Sequence, residues 1–347
     1  VSLKDRLLRD VAEDGPMTVA DYMTRCLHDP LDGYYAVRPA LGETGDFITA
    51  PLISQMFGEI LGAWSHEVWV RLGSPGRFRL IELGPGGGVL TADMLRVARI
   101  DAAFGAACEP WLVETSRPLR ALQADAVTGA RWADRLEAVP AGLPTIMVAN
   151  EFLDCLPIHQ AVARDGGWRE RRVGVAVDGS LCFVEGPVWK ACPLPVSAGS
   201  REVREWSPAL IALGAEVGAR LAADGGAALF IDYGGGVAAA GDTLQALRGH
   251  AKEDPLLNPG LADLTAHVDF PAFVGAAVRA GAAAAPIESQ GGFLRRLGIE
   301  SRAVTLTHAS PAKREVIARQ LDRLVSGTGM GELFKVAALS SPGLETP

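Results

Sequence analysis

The residues Glu82-Leu83-Gly84-Pro85-Gly86-Gly87-Gly88 join a carboxylate to a run of glycines, directly after the apolar stretch Phe78-Arg79-Leu80-Ile81. Glycine accepts a sharp turn and lets a ligand lie against bare main chain. Val89 to Arg99 then carries a helical pattern. Strand, glycine turn and helix open a nucleotide-binding α/β unit. The dinucleotide fingerprint Gly-x-Gly-x-x-Gly would place its third glycine at position 89, which is Val89. A glycine-rich turn that binds nothing is the plainer alternative.

The spacing that is present, Glu82-x-Gly84-x-Gly86-x-Gly88, is the form class I methyltransferases use for S-adenosyl-L-methionine (SAM). SAM has no pyrophosphate, so the helix N-terminus need not cradle one. Other chemistry-bearing residues fall at the ends of apolar runs. Glu114 follows the run Ala107 to Val113. A carboxylate there offers two acceptor oxygens to the two vicinal hydroxyls of a ribose. In the polar segment Arg131 to Leu136, Trp132 could stack on the adenine or pack in the core, and Asp134 could accept from the base amine. The run Leu143 to Ala149 ends in Asn150-Glu151-Phe152-Leu153-Asp154-Cys155-Leu156-Pro157. Carboxylates and an asparagine are costly to bury at a strand end without a purpose. Methyl transfer is an in-line displacement that needs the acceptor held near ~3 Å from the methyl group, and Asn150, Glu151 and Asp154 are the groups to hold it. Asp232 ends the run Ala227 to Ile231, where it either binds substrate or caps a turn. His267, in Thr265-Ala266-His267-Val268-Asp269-Phe270, is a candidate proton acceptor or a structural histidine.

The elements that must position these groups can be read from caps and breakers. Ser2 and Thr18 are placed to cap helices over Leu3 to Ala12 and Val19 to Leu27, with Pro30 as a stop. The adjacent Tyr34 and Tyr35 read as a packed aromatic cap rather than a ligand contact. The loop Gly42 to Pro51 carries Gly45, Asp46, Phe47 and Thr49, and it either folds back over the cofactor or simply enters a helix from Leu52 to Arg71, with Ser54 in its first turn. Ala161 to Val188 alternates apolar and polar residues around Gly turns and reads as inserted β-hairpins, a lid or partner surface. Helices are expected over Ser207 to Ala223, Pro271 to Ala280, Gly291 to Leu297 and Pro311 to Ser326, and a final strand over Met330 to Leu339. The expected fold class is α/β: a Rossmann-like, seven-stranded mixed sheet with one antiparallel strand. The expected organisation is an N-terminal helical region with a cofactor-covering loop over 1–72, then a methyltransferase domain over 73–347 with insertions at about 161–200 and 240–300.

Composition narrows the class further. The chain has 347 residues, 48% of them hydrophobic, enough for one large elaborated domain. A net charge of −8 disfavours binding to nucleic-acid phosphates. The cysteines at 26, 108, 155, 182 and 192 are scattered and odd in number, which points away from a metal site or disulfide framework and toward a reducing compartment. No apolar run reaches the ~18 residues of a membrane span, and the N-terminus has no signal-peptide pattern.

Taken together, Gly45-Asp46-Phe47-Ile48-Thr49, Glu82 to Gly88, Val113-Glu114, Asn150 to Pro157, Asp232-Tyr233-Gly234 and Thr265 to Phe270 occur in the order seen in one family. The chain resembles the MidA-type protein arginine methyltransferases, which include the mitochondrial complex I assembly factor, over about residues 5 to 340. The resemblance implies SAM as cofactor and methylation of arginine nitrogens on a protein, in the family case a core subunit of NADH:ubiquinone oxidoreductase (complex I). It implies Glu151, then Asp154, as the guanidinium clamp, Asp232 on the other side and His267 as proton acceptor. A small-molecule methyltransferase of the same fold and an assembly chaperone that makes little use of SAM are the alternatives. The expected location is the bacterial cytoplasm, with the mitochondrial matrix as the alternative.

Overall fold

The computed structural model describes residues 1–37, 49–164, 167–190, 192–193, 202–236 and 241–347. The chain opens with α1 (Leu3–Asp14) and α2 (Val19–His28). The Ser2 hydroxyl accepts the Asp5 N–H while the Asp5 carboxylate accepts the Ser2 backbone N–H, a capping box. Thr18 caps α2 through the Asp21 N–H. The single helix expected from Leu52 is two: Ala50–Ile53, then α3 (Gln55–Arg71). Ser54 divides them. Its backbone is extended (φ −160°, ψ 136°) and its hydroxyl accepts the Met56 N–H, which caps the start of the second helix.

The main sheet follows. A seven-strand path runs through β1 (Phe78–Leu83), β2 (Cys108–Val113), β3 (Arg131–Ala133), β4 (Thr145–Asn150), β5 (Gly226–Gly235), β6 (Ala283–Ala284) and β7 (Phe334–Ser340), in the spatial order β6-β7-β5-β4-β1-β2-β3. The first five strands are mutually parallel where they pair, and β7 runs antiparallel to β5. The expected mixed sheet is therefore present along this path, and two short strands off it, Val268–Asp269 on β5 and Glu288–Ser289 on β7, bring the whole to nine. Every residue of β1 and β4 is buried, as a strand covered on both faces requires. Leu83 lies in register with Val113 and Ala149, and Asn150 with Ile231. That register brings Glu82, Glu114, Glu151 and Asp232 to one edge, the carboxyl edge, where open α/β sheets bind ligands.

Between strands, α4 (Val89–Met94) and α5 (Arg117–Ala126) return the chain. One face of the sheet packs on Phe57, Leu61 and Trp64 of α3 and on Phe293 and Leu294 near the C-terminus. The other packs on α6 (Pro208–Asp224) and α7 (Phe270–Arg279), through Leu210, Val217 and Phe273. Thus α3 belongs to the sheet's own core. In contrast, α1 and α2 share a separate core with Val173, Leu181 and Leu264.

The inserted hairpins form a sheet of their own. His159–Arg164, Gly167–Val175 and Leu181–Val188 join Met17–Thr18 and Val203–Trp206 in a five-stranded antiparallel sheet. The second insertion adds a small three-stranded sheet that includes Asp263–Thr265. Near the C-terminus a helix over Ile299–Ala309, which the sequence pattern did not mark, packs against α3. Met330–Leu333 is a helical turn ahead of β7 rather than its first residues. Among the described residues no helix is long and apolar enough to cross a membrane.

Candidate functional site

A cavity of about 700 Å³ lies at the carboxyl edge of the sheet, lined at one end by Glu82, Gly84, Gly86 and Glu114 and at the other by Asn150, Glu151, Cys155 and Tyr35. The first end is the expected cofactor end. Gly84 (φ +64°) and Gly86 (φ +50°) adopt left-handed backbone, and a Cβ on Gly84 would stand 2.6 Å from the ring of Phe152. Gly88 is also left-handed, but as the N-cap of α4 rather than a wall of the cavity. Glu82 Oε2 accepts the Thr91 N–H (3.1 Å) and the Thr91 hydroxyl, fastening α4 to the tip of β1. Burial pushes the Glu82 carboxyl up to about 7, against the pull of those two bonds.

Glu114 Oε1 accepts the Ser116 N–H at 2.7 Å, and burial raises its carboxyl above the ordinary value. Gln123 of α5 is the hub of this end. Its Nε2 donates to Gly86 O (2.7 Å) and, at 3.4 Å, to Glu114 Oε2. Its Oε1 accepts the Trp132 indole N–H at 2.8 Å. Trp132 does not line the cavity, so the expectation that it stacks on the base is corrected. It holds Gln123 from behind because β3 pairs Trp132 with Leu112, two residues short of Glu114. Asp134 does reach the rim, 79% exposed and paired with Arg120 at 2.5 Å.

At the other end, Asn150 is 7% exposed. Its Nδ2 donates to Glu151 Oε1 at 2.9 Å, which leaves Oδ1 buried without a partner. Glu151 Oε1 also accepts the Ala50 N–H at 2.9 Å. Glu151 is one of three non-glycine residues with positive φ among the described residues, at +52°. A side chain held there stores strain that the surroundings must oppose. Asp232 supplies the opposition. It is fully buried; Oδ2 accepts the N–H groups of Phe152 (3.0 Å), Leu153 (2.8 Å) and Asp154 (3.2 Å), and Oδ1 that of Tyr233 (2.8 Å). Of the two roles open to Asp232, the structure selects turn capping: its acceptors are spent on backbone and it does not line the cavity.

Asp154 is likewise buried behind the cavity rather than on it. Burial, then the nearby Asp232, Asp263 and Glu151, raise its carboxyl well above the carboxylate range. Asp232 is raised too, by burial and then by Glu151, while its backbone donors pull the other way. Burial also lifts Glu151 to about 7. His267 is exposed and off the cavity, with its ring edge-on to Tyr233 at 5.5 Å and its backbone N–H on Thr243 Oγ1. The expectation of a proton acceptor there is corrected. Ser54 is also off the cavity, as the cap of α3, whereas Thr49 lines it. Gly45, Asp46 and Phe47 lie outside the described residues.

Sequence reasoning missed Tyr35 and Glu216, both on the cavity. Burial pushes the Glu216 carboxyl up to about 7. No local pattern marks it: it is an ordinary polar position on a helix whose neighbours face the core. The sequence pattern gives Tyr34 and Tyr35 the same packing role, and only the fold shows that Tyr34 alone is the fully buried ring.

The family model of S-adenosyl-L-methionine-dependent methyltransferases matches residues 60–287. The chain is 36% identical to the mitochondrial protein arginine methyltransferase NDUFAF7 of Danio rerio, over 96% of this chain and 86% of that protein. It is 36% identical to the Homo sapiens NDUFAF7, over 96% and 82% respectively. Its fold superposes with a TM-score of 0.88 on a COG1565 superfamily member from Burkholderia thailandensis bound to S-adenosyl-homocysteine (SAH), at 32% identity over 99% of this chain and 92% of that one. The residues present fit such a ligand. The buried Asn150 Oδ1 lacks a donor, Glu82 and Glu114 line the cavity, and Gly84 and Gly86 leave bare main chain beside them.

Proposed function

Since the chain belongs to this family of SAM-dependent methyltransferases, we propose that it methylates arginine nitrogens of a protein substrate. One observation carries the reading: among the described residues, Glu151 stands buried on the cavity and forms no ion pair with a lysine or arginine. Buried carboxylates left without a cation are costly, and a guanidinium is a planar cation built for carboxylates. Bound SAM supplies an electrophilic methyl group on sulfur. The protein's part is to place one guanidinium nitrogen in line with it. Arginine stays protonated in proteins, so orientation counts for more than basicity.

In this reading Glu151, held by Asn150, Ala50 and the turn that Asp232 fastens, clamps the guanidinium. Asn150 Oδ1 accepts a hydrogen bond from the cofactor's amino group or from the acceptor. The transfer leaves one proton to be lost, and Glu151, at about 7, takes it in place of His267. Glu82 and Glu114 bind the cofactor, with Asp134 at the base. The relatives' mitochondrial names and the resemblance to MidA-type enzymes support a core subunit of respiratory complex I as the substrate. They also support the compartment where that complex is assembled, mitochondrial matrix or bacterial cytoplasm, as the site of action.

The test is incubation with isotope-labelled SAM and protein extracted from cells lacking this enzyme, followed by mass spectrometry. Label is expected on arginine. Glu151→Gln should lower it by about 10²-fold or more, the scale for removing one group that acts on transition-state charge, with SAH affinity changed less than about threefold. Label on lysine or on small molecules, or full turnover by Glu151→Gln, overturns the proposal.

A further inference from the structure

The acceptor end has a wall that none of the strand-tip motifs supplies. Tyr35 follows α2 in the chain and is half-buried, with part of its surface on the cavity. Its hydroxyl donates to Asp263 Oδ1 at 2.7 Å, and Asp263 is 3% exposed in the small sheet of the second insertion. The fully buried ring of Tyr34 meets it edge-on at 5.2 Å, and the His28 ring, also on the cavity, stands at 5.9 Å. The ring is thus fixed at its tip and along its edge. Its electrostatic neighbours include Cys155 and Asp154, and Asp263 is felt by both Tyr35 and Glu151. The Tyr35 hydroxyl therefore lies among the buried carboxylates, while its short helix, Tyr34–Val37, packs against α5.

We infer that Tyr35 is a specificity-determining residue whose anchored ring stacks on the guanidinium that Glu151 clamps. The inference rests on the arginine reading above and adds to it. A carboxylate alone does not tell arginine from lysine. A fixed aromatic face beside a carboxylate does, because the planar guanidinium stacks on a ring while it hydrogen-bonds in its own plane. Asp263 holds that ring from the insertion, so acceptor recognition joins the N-terminal region to residues 263–265, which lie far from it in sequence.

The probe is N-acetyl-arginine amide, with its neutral citrulline counterpart, titrated into SAH-loaded protein. The wild type is expected to bind the arginine compound and to prefer it over citrulline. Tyr35→Leu should weaken arginine binding about fivefold or more, within the range of a cation on an aromatic face, and leave SAH affinity unchanged. Tyr35→Phe keeps the ring and should retain most of the affinity. Tyr35→Leu binding like wild type overturns the inference alone. Tyr35→Phe failing as badly as Tyr35→Leu also overturns it, since the hydroxyl and not the ring would then matter. No arginine preference in the wild type removes the arginine reading and this inference together. Unchanged SAH affinity is the control for folding in both variants.

Discussion

At the cofactor end of the cavity, Glu82, Gly84, Gly86 and Glu114 come from the tips of two neighbouring parallel strands; Glu82 and Glu114 take bonds from the helix or turn that follows each, and Gly86 O takes one from Gln123 of α5. At the acceptor end, Tyr35, Thr49, Glu151 and the supporting Asp232 and Asp263 come from five separate stretches of chain. The first end is mostly backbone geometry and short-range bonds. The second is a set of buried carboxylates that raise one another's proton affinity and are kept apart by main-chain donors. A site for a constant cofactor can be written in one contiguous motif. A site for a variable acceptor draws on whatever the insertions bring.

The comparison breaks most severely at Asp232. Removal of its carboxylate leaves the N–H groups of Phe152, Leu153, Asp154 and Tyr233 without an acceptor and frees the positive-φ Glu151 to relax. Buried unsatisfied donors cost about 1–3 kcal/mol each, with partial compensation by water. Asp232→Ala is expected to lower unfolding free energy by about 3–5 kcal/mol, at the upper end for single substitutions. Denaturant titration measures it. Activity should fall more than SAH affinity, because the turn serves the acceptor end first. A loss below about 1 kcal/mol, the net worth of a single ordinary hydrogen bond, would mean that the turn holds itself.

These assignments mark where the sequence was legible. The glycine spacing, Glu114 and the run from Asn150 to Asp154 named the right edge of the right sheet, because strand tips and turns are encoded by adjacent residues. The caps Ser2 and Thr18 were legible for the same reason. Trp132 and His267 misled because residue type alone does not say on which side of a strand or loop a ring will fall. Asp232 was placed at the correct tip, but whether its oxygens face backbone or cavity depends on how β4 and β5 pair, which is tertiary. Ser54 divides two helices through one side-chain bond that competes with helix continuation. Tyr35 was beyond reach, since its meaning depends on Asp263, 228 positions away.

Acidity sharpens the contrast between the ends. Glu82 and Glu151 both hold a proton to about pH 7 in the folded chain, against an ordinary value of 4.5. The folded state therefore binds more protons between those values, and their contribution to stability is full below about 4.5 and lost as pH rises through about 7. Other carboxylates act in the opposite sense, so the measurement is a difference: Glu151→Gln should gain stability relative to wild type as pH is raised from about 5 to about 8, the interval that brackets the shifted acid. Methyl transfer should rise over the same interval as Glu151 ionises to act as the clamp. A pH-independent difference between the two proteins would place the raised acid elsewhere.

The smallest effect separates two ways of using one indole. If Trp132 stacked on the adenine, Trp132→Phe would be nearly silent and Trp132→Leu costly. In the structure the indole N–H instead holds Gln123, which in turn holds Gly86 O and Glu114. Both substitutions remove that donor. Each is expected to weaken SAH binding by a similar factor of about two to five, the worth of one hydrogen bond of about 0.5–1 kcal/mol, with kcat unchanged. Calorimetry with SAH on the pair reads the difference directly. Equal small losses place Trp132 behind the cofactor end as a brace for its glycine turn. A loss confined to Trp132→Leu would move the ring into the cavity and make this end, too, depend on a side chain delivered from a distance.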